Sequence, residues 1–110
     1  MIRSVSAEGI HIGDDVYARP IALTTNEVLD SWARKDIGDL AEGDFLALLD
    51  KEPEVIVLGT GTDTIFAPRE LVFAMARRQI GFEVMDTAAA ARTYNVLASE
   101  GRQVAAVLYF

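Results

Sequence analysis

Two short segments hold the residues best placed to do chemistry: Gly59-Thr60-Gly61-Thr62 and Asp86-Thr87. The glycines let the main chain turn sharply and leave room for another group to approach the backbone. The threonines offer hydroxyls and Asp86 a carboxylate. Arg92 and Asn95 follow on the helix that Asp86 should start. If the strands before the two segments run parallel, both loops open into one crevice, where α/β sheets commonly place ligands. A small anion is the occupant these groups suggest. A purely structural turn competes with that reading. Gly-Thr-Gly lacks the third glycine of a dinucleotide fingerprint and the Gly-Lys-Ser/Thr of a phosphate loop. Asp86 also puts a negative charge where an anion would want the helix end.

Little else in the chain could catalyse. There is no cysteine, which excludes disulfides, thiolate nucleophiles and cysteine-ligated metals. His11 is the single histidine and sits beside a tight turn, so no His-Asp-Ser triad has a choice of base, and a transition-metal site is not expected. Near the loops only Asp63, Glu83 and Asp86 could act as a base, and nothing in the sequence prepares any of them for it. We therefore expect no catalytic residues, no metal, no cofactor and no enzyme activity.

The elements that must position these loops are readable. Val55 to Leu58 is a continuous apolar run, the mark of a strand covered on both faces. Pro68 should be the first residue of a helix over 68–79, with Gly81 just past its end. A strand follows at 82–85. Asp86 caps a helix over 86–100 with a favourable Ala88–Ala91 run, Gly101 ends it, and Val104 to Leu108 is a last buried strand. Before this β-α-β-α-β core, Ile10 and Ile12 alternate with polar neighbours, residues 13–15 turn, and residues 16–18 and 21–23 resume strands. Residues 26–43 read as a loop or irregular strand. A short helix over 43–51 carries Phe45, Leu48 and Leu49 on one face and is stopped by Pro53. The fold class is α/β in three layers: a central mixed sheet with a parallel core and extra N-terminal strands on one side. At 110 residues the chain should be a single domain, 1–110.

One helical face looks outward. At 100° per residue Leu71, Val72, Met75, Ala76 and Gln79 form a stripe, and Phe73 falls off it with Arg69 and Arg77 four residues to either side. An exposed aromatic between arginines fits an interface anchor. The alternative is that Phe73 packs under the Gly-Thr-Gly loop or against the N-terminal strands. On the last helix, Ala90, Tyr94 and Leu97 share a core face. Trp32, the only tryptophan, reads as core or subunit contact. The aromatic ending Leu108-Tyr109-Phe110 suggests docking against the body or a second subunit.

Net charge is −7 and lopsided: residues 1–53 carry 5 basic and 11 acidic side chains, residues 54–110 carry 5 and 6. Such an acidic chain is not suited to general nucleic-acid binding. Hydrophobic content is 51%, high for so charged a chain, and hints at apolar surface kept for a protein partner or a homo-oligomer. No run reaches the ~18 apolar residues of a membrane span. The start has neither a long apolar core nor a small-residue cleavage pattern, so a cytoplasmic location is expected.

The motifs Pro53-Glu-Val-Ile-Val-Leu-Gly-Thr-Gly61, Pro68-Arg-Glu-Leu71, Gly81-Phe-Glu-Val-Met-Asp-Thr87 and Ala91-Arg-Thr-Tyr-Asn-Val-Leu97 with Glu100-Gly-Arg102 resemble one family over nearly the whole chain. It is the small Mth938-like family of unknown function that includes a mitochondrial assembly factor for respiratory complex I. The resemblance implies a central mixed sheet with helices on one side and strands plus a helix on the other. It implies no established catalytic residue and no known cofactor. Its recurrent residues fall here on Gly59, Thr60, Gly61, Asp86, Thr87, Arg92, Thr93, Tyr94 and Asn95, as a candidate site. In the mitochondrial member it implies a scaffold role in building a membrane enzyme. Lacking a presequence, this chain looks like a bacterial relative. The leading expectation is a non-enzymatic interaction or assembly protein; the second is a binding module for a small anion at the 59–62/86–87 crevice.

Overall fold

A computed structural model describes residues 1–29, 32 and 35–110. Its centre is the strand read first. β6 (Val55–Thr60) is buried at every residue and lies between β7 (Gly81–Met85) and β8 (Val104–Tyr109), parallel to both. The earlier strands number β1 (Ile2–Ser6), β2 (Gly9–Ile12), β3 (Asp15–Tyr17), β4 (Ile21–Thr24) and β5 (Val28–Leu29). The five-stranded sheet runs β5-β4-β8-β6-β7, with β4 antiparallel to β8 and to β5. β1, β2 and β3 form a separate antiparallel sheet.

Period-2 alternation divides the core. Val55 and Val57 of β6, with Val104, Ala106 and Leu108 of β8, face α3 (Thr87–Ser99) and the small sheet, where they meet Ile2, Ile10, Ala90 and Tyr94. Ile56, Leu58, Ala105 and Val107 face the other way, onto α2 (Arg69–Arg77) and the 37–49 segment, meeting Phe45, Leu48, Leu71 and Met75. Three layers result, as expected. Each of Ile56, Val57 and Leu58 is fully buried, a contribution of about 1.5–3 kcal/mol apiece.

Asp86 caps α3 as expected: its carboxylate accepts the Ala89 N–H at 2.9 Å. Gly101 follows the helix with φ +79°. Tyr94 is core, and its hydroxyl donates to the Thr24 carbonyl at 2.9 Å.

Several expectations need correction. α2 starts one residue later and ends two earlier than read, with Pro68 as the residue before it. Its left-handed residue is Gln79 (φ 61°), not Gly81, which already belongs to β7. The buried stripe is Leu71, Ala74 and Met75, so Val72, Ala76 and Gln79 are exposed. β1 was not foreseen. The helix expected over 43–51 is a 3-10 turn (Glu42–Phe45) running into one α-turn, α1 (Leu46–Leu49). Residues 26–43 contain β5 and a 3-10 turn (Ile37–Asp39); positions 30, 31, 33 and 34 lie outside the described residues.

Trp32 packs edge-on against Phe45 at 5.1 Å, and Phe45 against Phe82 at 6.0 Å. The indole N–H of Trp32 donates to the Tyr109 hydroxyl at 3.4 Å, which itself donates to the Lys35 carbonyl at 2.7 Å. Burial pushes the Tyr109 phenol above its ordinary pKa. The C-terminal tyrosine therefore docks against the body of the chain.

Candidate functional site

The parallel pairing of β6 with β7 brings both loops to the C-terminal edge of the sheet. A crevice of about 590 Å³ opens there. Its lining includes Gly61, Thr62, Asp86 and Thr87, so the structure gathers four of the eight residues expected to surround a ligand. Among the described residues, Asp86 is the one charged side chain in that lining.

The other four lie elsewhere. Gly59 sits beneath α3, where an added Cβ would stand 2.9 Å from both Cα and Oγ1 of Thr87. The glycine is thus required for strand and helix to touch. Thr60 is buried; its hydroxyl donates to the Asp63 carbonyl at 2.6 Å and accepts the Ile65 N–H at 3.2 Å, folding the 60–65 loop back on itself. Arg92 is exposed and lies outside the crevice lining. Asn95 grips β1 instead: its Nδ2 donates to the Ile2 carbonyl at 2.6 Å and its Oδ1 accepts the Ile2 N–H at 3.0 Å.

Thr87 is also occupied. Its hydroxyl accepts the Gly61 N–H at 2.8 Å and donates to the Tyr109 carbonyl at 2.6 Å, while its own N–H donates to the Gly61 carbonyl at 2.8 Å. One side chain therefore ties the start of α3 to the ends of β6 and β8. Among the residues first singled out, only Thr62 offers the crevice a hydroxyl not already engaged.

The rest of the crevice wall was missed in the sequence. It comes from Val5, Ser6 and Ala7 at the β1–β2 turn and from Tyr109 and Phe110. The usable signal was the aromatic C-terminal pair, which does meet the body. Ser6 Oγ stands 2.9 Å from His11 Nε2 in an exposed cross-strand pair, with no carboxylate behind the imidazole among the described contacts. That pair holds the hairpin and has no third member to orient a base.

The second candidate surface is the outer face of α2. Phe73 is 53% exposed and Val72 39%, with Arg69 and Arg77 exposed beside them. Just before the helix, Phe66 is 92% exposed. Next to α2, a groove of about 720 Å³ runs between it and residues 38–43; Arg69, Glu70 and Arg77 stand on one wall, Asp39 and Glu42 on the other. Phe73 therefore projects outward and does not pack under the loop.

The chain as a whole has relatives among known proteins. A human protein named NADH dehydrogenase [ubiquinone] 1 alpha subcomplex assembly factor 3 is 34% identical over 109 residues, 97% of this chain. The chain spans 59% of that protein's length. A Francisella tularensis protein named 13 kDa major membrane protein is 30% identical over 102 residues, covering 90% of this chain and 80% of the relative. Among the described residues of this chain, no helix is long and apolar enough to cross a membrane. A Xanthomonas campestris protein solved by NMR superposes with a TM-score of 0.90 at 36% identity, over 99% of this chain and 83% of the other. A Bordetella pertussis protein described as a Mth938-like domain superposes at 0.72 with 26% identity, over 98% and 84%. Residues 2–109 match the model of the family described as protein of unknown function (DUF498/DUF598), and the chain belongs to that family.

Proposed function

We propose that the chain is a non-enzymatic interaction protein that assists assembly of a larger complex, and that it binds its partner through the outer face of α2. The observation that carries this reading is Phe73, half exposed between Arg69 and Arg77 on a helix whose opposite face is sealed in the core. A large aromatic ring left in water is costly unless something covers it, and aromatics with arginine dominate interface energetics. The relatives named as complex I assembly factors support a protein-binding role. Phe73→Asp tests it. The variant should keep the wild-type melting temperature and lose partner capture or self-association in pull-down and sedimentation. Unchanged binding would remove α2 as the interface.

A second reading is a small-ligand module at the crevice. It is supported by the volume of about 590 Å³ and by the convergence of Gly61, Thr62, Asp86 and Thr87 there. With Asp86 as the charge in the lining, a neutral or cationic ligand suits the crevice better than an anion. A metabolite screen by thermal shift, repeated on Asp86→Asn, checks this reading; no shift with any class of compound counts against it.

A further inference from the structure

The chain carries seventeen carboxylates against ten Lys and Arg. Partners for the cations are plentiful: Lys35 pairs with Asp44, Lys51 with Glu27, Arg78 with Glu42 and Arg102 with Glu54. Arg69 and Arg77 form no hydrogen bond or ion pair with any described residue. They are the two that flank Phe73. Arg92, in the same state, lies on α3 across the sheet, away from this face.

Helix geometry sets the spacing. Residues 69, 73 and 77 are at i, i+4 and i+8, each step advancing 40° around the axis, so the three side chains form a ridge. At 1.5 Å per residue the two arginines are about 12 Å apart along the axis, with Phe73 midway. Val72 widens the apolar part of the ridge.

We propose that this ridge binds an acidic amphipathic segment of a partner protein, with carboxylates about 12 Å apart and an apolar side chain between them that covers Phe73. The proposal rests on the assembly reading above and adds the chemistry of the partner. In a chain of net charge −7, two guanidinium groups left unpaired on one helix face are complementary to acids supplied from outside. A lipid surface fits less well. α2 has nine residues, short for a helix lying in a bilayer interface. Glu70 on α2 and Asp39 across the groove border the same face and would meet a broad anionic plane. A narrow segment can follow the ridge and avoid them. Arg78 already neutralises Glu42.

The experiment uses the full chain with a photo-cross-linking residue at Val72. The cross-linked partner peptide is identified by mass spectrometry, synthesised, and titrated against wild type, Phe73→Asp and Arg69→Glu/Arg77→Glu at low and high salt. The expected segment has acids on both sides of an apolar residue. Reversing both arginines should weaken its binding about tenfold or more and flatten the salt dependence. A peptide with lysines in place of its acids should bind the reversed chain again. Four outcomes overturn the proposal: a segment without acids, affinity indifferent to arginine reversal, a cross-link to a second copy of this chain, or binding of the ridge to phosphatidylglycerol vesicles in place of a peptide. If Phe73→Asp abolishes binding while arginine reversal does not, the assembly reading stands and the charge inference falls. If neither change matters, both fall.

Discussion

The Thr87 hydroxyl donates to the Tyr109 carbonyl at 2.6 Å, fastening the first residue of α3 to the last residue of β8. The same oxygen accepts the Gly61 N–H, so one buried side chain closes the C-terminal edge of the sheet. Thr87→Val keeps the shape and removes both bonds. At about 1–1.5 kcal/mol for each lost bond, the variant should lose about 2–3 kcal/mol in urea unfolding. Thr87→Ser should keep most of it. A Thr87→Val chain as stable as wild type would mean that the edge is held by other contacts.

Gly59 and Gly61 look equivalent in the sequence and are not. A Cβ at position 59 would meet Thr87 Cα at 2.9 Å and Ala90 Cβ at 3.1 Å. At position 61 nothing lies within 4 Å, but φ is +98°. Gly59→Ala should therefore push α3 off β6 and cost about 1–3 kcal/mol. Gly61→Ala should cost about 1 kcal/mol from backbone strain alone. Thermal melts of the two variants side by side check the order; equal losses would show that crowding under α3 is relieved by a small helix shift.

The parallel core was legible because β6 is covered on both faces and so has no polar alternation, and because Asp86 and Gly101 mark both ends of α3. β1 was not, for a physical reason. A register shift between Ile2 and Ser4 interrupts its pairing with β2, and only Ile2 is buried in a strand otherwise exposed or half-buried. Without alternation there was nothing to read. The α2 stripe was rotated because Val72 outranks Ala74 in hydrophobicity, whereas the sheet selects the helix face by direction. The crevice was half legible. Strand ends that run parallel must share an edge, which placed Gly61, Thr62, Asp86 and Thr87, but Val5 to Ala7 come from the unread hairpin. Arg92 and Asn95 start too far along α3: they are six and nine residues past Asp86, about 9 and 13 Å down the axis.

Asn95 makes the pair of hydrogen bonds that a neighbouring strand would make with Ile2. Asn95→Ala should release the N-terminal end of β1 from α3 and cost about 1–3 kcal/mol, since Ile2 is buried and its N–H and carbonyl lose their partner. Hydrogen exchange locates the effect. The Ile2 amide should lose protection while β6 amides keep theirs. Uniform loss across both sheets would mean that the small sheet and the central sheet open together.

Asp86→Asn separates the two roles of that residue. Asparagine caps a helix about as well as aspartate, so stability should change by less than about 0.5 kcal/mol, whereas Asp86→Ala should cost about 1 kcal/mol. The crevice nevertheless loses its lining charge in both variants. Any cationic ligand should therefore bind the asparagine variant more weakly at nearly wild-type stability, as read by thermal shift with and without the compound. A ligand that binds both forms equally does not use the carboxylate.

Tyr94 gives the fold an alkaline limit. Burial raises its phenol above the ordinary value of 10.0, and its proton is committed to the Thr24 carbonyl. Below pH 10 the folded and unfolded chains both hold that proton, so its contribution to stability is fully present. As pH rises past 10, the unfolded chain ionises first, and stability is lost until the raised folded value is passed. Tyr94→Phe removes the titration along with the hydrogen bond. At pH 7 the variant should be about 1 kcal/mol less stable than wild type. Between pH 10 and 11 its stability should fall less steeply, so the two curves converge. Tyr109, raised by its own burial, remains in both chains and keeps some slope in the variant. Urea midpoints from pH 7 to 11 measure the gap. Curves that stay parallel throughout would mean that the Tyr94 phenol reaches water in the folded state.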